Sequence, residues 1–343
     1  MGKNQVWRSA LLALIFFGLF FGLLFEFIQT LKSNVDLPLP QVAFTGPAEY
    51  FNPDANPVNA NIGVTVNSIG NLDMATGIYF MDFYLTIICD RTCDPDVDIL
   101  NAASTPEIET LPGDTQGGTF HNYRIRANLL TGINMQNYPF DQQTLSLTIG
   151  DKKATRDELI FNADPSYSAW NYGELYSLGW LIRPELEVQA AEWSYPYRAG
   201  LFSRFIFSAR VYKPWLSSFI TNFLPVIIVM LVSFLSFLFK AEAATERLTL
   251  TSSTLVGLIL FHININTGIP PQSSLTYADK FMLANYFACA VSIAISAIIL
   301  VLRDSDNLPL AERFNQTTRW LIPLLWAGLL LFVTLRQFNS MVQ

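Results

Sequence analysis

The chain has 343 residues, 51% hydrophobic and only 14% charged, a balance too apolar for an ordinary soluble enzyme of this length. Its 21 Lys and Arg against 28 acids leave a net charge of −7, which excludes a basic stripe for nucleic acid. Three cysteines (Cys89, Cys93, Cys289) and two histidines are too few for a disulfide scaffold or a zinc site, and no nucleophile elbow, P-loop or dinucleotide fingerprint is present, so no metal, cofactor or enzyme activity is expected.

About 20 apolar residues cross ~30 Å of hydrocarbon, and an unpaired charge at the centre is costly. The first charge-free stretch, Ser9 to Phe25, lies between Arg8 and Glu26. It reads as a signal peptide or a membrane anchor, and the lack of a small-x-small cleavage site after it favours a retained anchor helix.

Residues 32–213 are different in kind. Segments such as Asn61 to Asn67, Gly77 to Cys89, Thr144 to Ile149 and Phe202 to Tyr212 are rich in β-branched and aromatic residues. Turn chemistry is expected at Ser68 to Asp73, Leu111 to Gly118 and Tyr195 to Gly200. About ten short strands in this span predict a β-sandwich. Cys89 and Cys93 flank a short polar turn and read either as a local disulfide or as two isolated thiols. Cys289 reads as a small packing residue.

Four further charge-free stretches follow: Pro214 to Phe239, Leu248 to Ala278, Phe281 to Leu302 and Trp320 to Leu335. The expected architecture is an α+β membrane protein. An antiparallel β-sandwich (32–213) follows the extra N-terminal hydrophobic helix (1–31) and precedes a four-helix transmembrane domain (214–343), with helices at about 215–239, 248–266, 280–302 and 319–338. Lys3, Arg8, Lys240, Arg247, Arg303, Arg313 and Arg319 fall on one side, which places the sandwich outside the cell or in the periplasm.

The second of these four spans carries an unusual number of hydroxyls. Alternating steps of three and four residues select Glu246, Thr249, Ser253, Val256, Leu260, Ile263 and Thr267 as one helix face. Several copies around an axis would make a carboxylate ring, hydroxyl rings and hydrophobic constrictions, the parts of a gated cation pore. The same residues also suit ordinary helix packing, in which Ser and Thr join helices within a bundle. His262 falls off this face, towards neighbouring helices, and reads as a satisfied buried histidine or as a pH sensor. Pro270 and Pro271 end the helix.

The stretch Tyr138, Pro139, Phe140, Asp141, Gln142, Gln143 resembles the signature loop of the pentameric ligand-gated ion channels, the Cys-loop receptors. Pro225 in the first core span and the run from Glu246 to Pro270 resemble that family's first and second transmembrane helices. The signature cysteines are absent, with Thr131 and Leu145 in their places, and the link from Arg303 to Arg319 is short, so the resemblance is to the prokaryotic branch. It implies a homopentamer in a lipid bilayer, here the bacterial inner (plasma) membrane, gated by a small-molecule agonist or by protons and passing monovalent cations. A membrane-anchored solute-binding or signalling receptor without conduction is the alternative.

The resemblance also implies an agonist site between sandwiches, under the hairpin Ala191 to Gly200 with Trp193, Tyr195 and Tyr197. Tyr84 and, in a loop, Tyr167, Trp170 and Tyr172 are further candidates. An aromatic cluster suits a cationic amine. Against it, Thr105 to Glu107 and Gly150 to Lys152 make poor cage walls. Protons are the rival agonist: 32–213 hold 21 acids against 12 bases, and crowded carboxylates are expected to have raised pKa values. The resemblance implies coupling to the pore through the signature loop, Tyr138, Pro139, Phe140 and Asp141, with Asp73 and Lys213 in one charged cluster beside Pro270.

Overall fold

The computed structural model describes residues 26, 52, 54–111, 118–163, 165–170, 180–182, 187–195, 198–267, 269–270 and 274–342, with the side chains of 71, 167, 170, 195, 198–199 and 338–342 left aside. The expected N-terminal helix, apart from Glu26, therefore lies outside the described residues. The described residues after position 51 divide into two compact units, one falling within 37–134 and 142–213, the other within 135–141 and 214–343.

The first unit is a β-sandwich of eleven described strands. One sheet has the order β4 (Glu107–Thr110), β5 (Phe120–Leu130), β2 (Ile78–Cys89), β1 (Val58–Asp73), β7 (Leu159–Ala163), with β8 (Ala169–Trp170) also on β1. The other has the order β10 (Glu187–Tyr195), β11 (Arg198–Tyr212), β6 (Gln142–Asp151), β3 (Val97–Ile99), with β9 (Leu181–Ile182) on β11. The sandwich is not wholly antiparallel, because β7 and β8 pair with β1 in parallel.

Strict alternation decides which side chains meet between the sheets. Tyr79, Met81, Phe83, Leu85 and Ile87 of β2 face Leu145, Leu147 and Ile149 of β6 and Phe205 and Phe207 of β11 in one buried core. The Tyr79 hydroxyl donates to the Ser146 carbonyl at 2.8 Å, linking the two sheets. Burial pushes that phenol's pKa up.

The turn expected at Ser68 to Asp73 is displaced. β1 runs on to Asp73, absorbing the polar residues in register shifts, and the chain reverses after it. Asp73 builds that turn: its carboxylate accepts from Ala75 N at 2.8 Å and Thr76 Oγ1 at 2.7 Å, and Gly77 adopts a φ of 72°. Cys89 and Cys93 are joined in a disulfide.

The second unit carries the helices α1 (Trp215–Asn222), α2 (Leu224–Leu235), α3 (Ala244–Asn266), α4 (Tyr277–Asp304) and α5 (Leu308–Val342). Three stretches, Ala241–Asn266, Tyr277–Asp304 and Leu308–Gln337, are long and apolar enough to cross a membrane; α1 and α2 with its last turn make a fourth if this pair, bent by 42°, is one span. The bend falls at Phe223, just before Pro225 at the start of α2, where proline cannot continue the hydrogen-bond ladder of the preceding turn.

α5 begins well before residue 319. Leu308 sits directly after a three-residue link, Pro309 is tolerated in the first turn, and Ala311 and Phe314 pack with Ala241, Ala244 and Ile299. A run with several charges thus joins the helix because its other face is apolar.

Candidate functional site

The α3 helix sorts its residues onto two faces. Arg247, Thr251, Thr254, Leu258 and Ile265 are buried against the other helices. Glu246, Thr249, Ser253, Val256, Leu260, Ile263 and Thr267 are all exposed, with Val256, Leu260 and Ile263 at 58%, 64% and 57%. A run of bulky aliphatics left bare between hydroxyls marks a surface made for something other than this chain's own core.

The hydroxyls on that face have a defined polarity. Thr249 Oγ1 donates to Thr245 O at 3.0 Å, Ser253 Oγ to Thr249 O at 2.9 Å and Thr267 Oγ1 to Asn264 O at 2.7 Å. Each proton is spent on the helix backbone, so oxygen lone pairs face outward. Such a surface offers hydrogen-bond acceptors.

Arg247, next to Glu246, points the other way. It is 0% exposed; its Nε donates to Ser236 O at 3.2 Å and its Nη2 to Phe239 O at 2.8 Å and Asn315 Oδ1 at 2.7 Å. Two other arginines grip the same turn. Arg319 donates to Phe237 O at 3.0 Å and Leu238 O at 3.3 Å, while Arg303 donates to Glu242 O at 3.0 Å. The carbonyls freed between α2 and α3 are thereby satisfied, and the start of α3 is pinned with Glu246 outermost.

Within the helical unit, the loop of residues 135–141 is held from several sides. Tyr277 N donates to Gln136 O and Ala278 N to Tyr138 O, both at 3.0 Å. Tyr138 OH donates to Asn222 Oδ1 at 3.3 Å, and burial, with the Asp141 charge second, pushes this phenol's pKa up. The Tyr138–Pro139 peptide is cis. Phe140 lies edge-on to Phe223 at 5.5 Å and tilted to Tyr277 at 6.2 Å, and Asp141 is buried.

One contributor had no signal in the sequence. Gln337 Nε2 donates to Asn137 Oδ1 at 2.7 Å and Gln136 O at 3.2 Å, while its Oε1 accepts from Lys280 Nζ at 2.7 Å. A glutamine 200 residues beyond the loop is unreadable until the fold brings them together.

In the sandwich unit, Lys213 Nζ stands 4.9 Å from the centroid of the Trp180 ring, and Asp73 caps its turn. Asp141 and Pro270 belong to the helical unit.

The aromatic candidates are already engaged with the chain's own cations. Arg124 lies over the Tyr84 ring at 5.7 Å and Arg204 over Trp193 at 4.4 Å. Tyr84 sits on β2 and Trp193 on β10, in different sheets; Trp193 is 42% exposed. Trp170 and Tyr195 lie on β8 and β10 with side chains not described, and Tyr172 and Tyr197 fall outside the described residues.

The acidic residues do not behave as crowding suggests. Arg124 donates to both Asp82 oxygens, at 3.2 and 2.8 Å, and holds that carboxyl below its ordinary 3.8. Asp73 is lowered chiefly by Thr76, Asp90 by Asn59 and Asp96 by Lys153. Every described aspartate of the sandwich with a resolved shift is thus displaced downward, against the expected rise, because each meets hydrogen-bond donors rather than other acids.

No family model matches the chain. The acetylcholine-gated chloride channel subunit acc-2 of Caenorhabditis elegans is 20% identical over 297 residues, 76% of this chain and 65% of that protein. The proton-gated ion channel of Gloeobacter violaceus is 23% identical over 198 residues, 57% of this chain and 52% of that protein. The pH-sensitive chloride channel 2 of Drosophila melanogaster is 24% identical over 213 residues, 60% and 40% of the two chains. The match with these curated relatives spans from 40% to 65% of their length.

Proposed function

We propose that this chain, a relative of the pentameric ligand-gated (Cys-loop) ion channels, assembles as a homopentamer around a central pore lined by α3. The reading rests on one observation above all. The face bearing Glu246, Thr249, Ser253, Val256, Leu260, Ile263 and Thr267 is exposed along its whole length, although it belongs to a helix long and apolar enough to span a membrane. Five such faces would enclose hydroxyl rings with outward lone pairs at the inner end and aliphatic rings in the middle, where a path closes by dewetting.

We further propose that monovalent cations permeate. The relatives include chloride channels, so kinship does not decide the sign of the permeating ion. Two local features favour cations: Glu246 is exposed at the inner end of the face, and its cationic neighbour Arg247 is buried behind it. In a salt gradient across a bilayer, Glu246→Ala is expected to move the reversal potential towards zero. An unchanged reversal potential would place selectivity elsewhere.

The stimulus is proposed to be a small-molecule agonist, a cationic amine being the chemistry that suits an aromatic site, or protons, acting from the sandwich side of a bacterial inner membrane. Asp73, Asp82, Asp90 and Asp96, lowered by hydrogen-bond donors, stay ionised through the mildly acidic range and are not themselves the groups a proton stimulus would neutralise there. Recording current while stepping pH and adding amines separates the two. Saturable agonist binding without any current would favour the non-conducting receptor.

Gating is proposed to reach α3 through the 135–141 loop, which holds Tyr138, Pro139, Phe140 and Asp141. Support comes from its grip on Tyr277 and Ala278 at the start of α4, on Phe223 at the bend between α1 and α2, and on Gln337 of α5.

A further inference from the structure

The chain leaves the sandwich after β5, passes through the 135–141 loop and returns at the start of β6, and these two strands belong to different sheets. Among the described residues no backbone ladder joins β5 to β6, so the spacing of the loop's two ends is left to side chains. Three of them cross the gap. Asn101 Nδ2 donates to Leu130 O at 2.9 Å on the outgoing chain and to Ser146 O at 2.6 Å on the returning one. Nearer the loop, Thr131 Oγ1 donates to Thr144 O at 2.5 Å.

The crossing nearest the loop is made by Gln143, the second residue of β6, which is only 2% exposed. Its Oε1 accepts from Asn134 N at 3.1 Å, and its Nε2 donates to Asn134 O at 2.8 Å. A backbone N–H only donates and a carbonyl only accepts, so this pairing fixes which end of the amide is which. One side chain thus imitates the reciprocal bond pair that two antiparallel strands exchange, at the one place where the sheets supply no such pair. Both bonds are lost together if the amide is removed.

We infer that Gln143 is a positioning residue for gating: its amide clasp on Asn134 sets the spacing at which the chain enters and leaves the 135–141 loop. A loop with a loose base passes on less of any movement of the strands that carry it. Loss of the clasp therefore changes how readily the pore opens and leaves the choice of ion alone. This inference rests on the proposal that the loop carries gating to α3.

The test compares the unaltered full-length chain with Gln143→Leu, which is of similar size and lacks both polar atoms, in bilayers activated by stepped pH or by n-butylamine. The expected result is a rise of about fivefold or more in the stimulus needed for half-maximal current, with the reversal potential unchanged. Tyr79→Phe is the control for lost stability. It removes a hydrogen bond between the sheets that lies outside the loop's base, and should lower Tm without moving the midpoint. A Gln143→Leu midpoint equal to that of the unaltered chain, or one moved no further than by Tyr79→Phe, would overturn the role. Amide hydrogen exchange in detergent reads the loop without any current, and residues 135–141 should exchange about fivefold faster in Gln143→Leu. If the unaltered chain passes no current under either stimulus, the pore proposal fails by itself. Exchange then decides the clasp: faster exchange in the variant upholds the positioning of the loop by Gln143, and equal exchange removes it.

Discussion

Arg247 and Glu246 are adjacent in sequence and opposite in position, one buried and one exposed, and that difference sets the electrostatics at the start of α3. The guanidinium serves Ser236 O, Phe239 O and Asn315 Oδ1, a forked arrangement a lysine ammonium cannot reproduce. Arg247→Lys should therefore lower stability by roughly 1–3 kcal/mol, the cost of leaving a buried acceptor unpaired, while the reversal potential stays unchanged. A reversal shift as large as that of Glu246→Ala would place Arg247 in the lumen. Asp82 gives a second prediction at this scale. Its folded pKa lies below the ordinary 3.8, so the stability it contributes is fully present above that value and is lost as pH falls through the lower, folded one. Asp82→Asn should cost roughly 1–3 kcal/mol at neutral pH, as expected for a largely buried hydrogen-bonded ion pair, yet leave any activation between pH 4 and 7 unaltered. A displaced activation curve would make Asp82 a proton sensor. Residue types alone announced the acidity of the sandwich but not these pairings, because Arg124 is 42 positions away from Asp82 and meets it only across β2 and β5.

Elements differed in how far they could be read. The α3 stripe was legible because a 3.6-residue period projects hydroxyls and aliphatics onto one face, whatever its surroundings. The strands of the sandwich were legible for the same reason with a period of two. The early start of α5 was hidden, since the charged run after Asn307 reads as a link until Ala311 and Phe314 find their apolar neighbours. The turn after β1 was hidden as well: Gly70 and Asn71 look like turn residues, but the pairing with β2 carries the strand through to Asp73. Gln337 tests the contribution of α5. Gln337→Ala removes its hydrogen bonds to Gln136, Asn137 and Lys280, each worth ~0.5–1.5 kcal/mol, and should lower Tm by a few degrees. If the 135–141 loop transmits gating, the same variant needs more stimulus for half-maximal current. Unaltered activation alongside a lowered Tm would reduce Gln337 to a structural role.

At the scale of the molecule, a single chain leaves the bare face of α3 without a partner, and cyclic assembly is the arrangement that turns one such face into a ring. Negative-stain images of the purified protein should contain particles with fivefold symmetry. The most direct test of the central claim is thiol accessibility. In a Cys289→Ser background, Ser253→Cys and Thr251→Cys are compared during exposure to a charged, water-soluble thiol reagent. Ser253 lies on the exposed face and Thr251 on the buried one. The account predicts rapid modification and block of current at 253 and none at 251; equal inertness of both, in every state that can be reached, would contradict it.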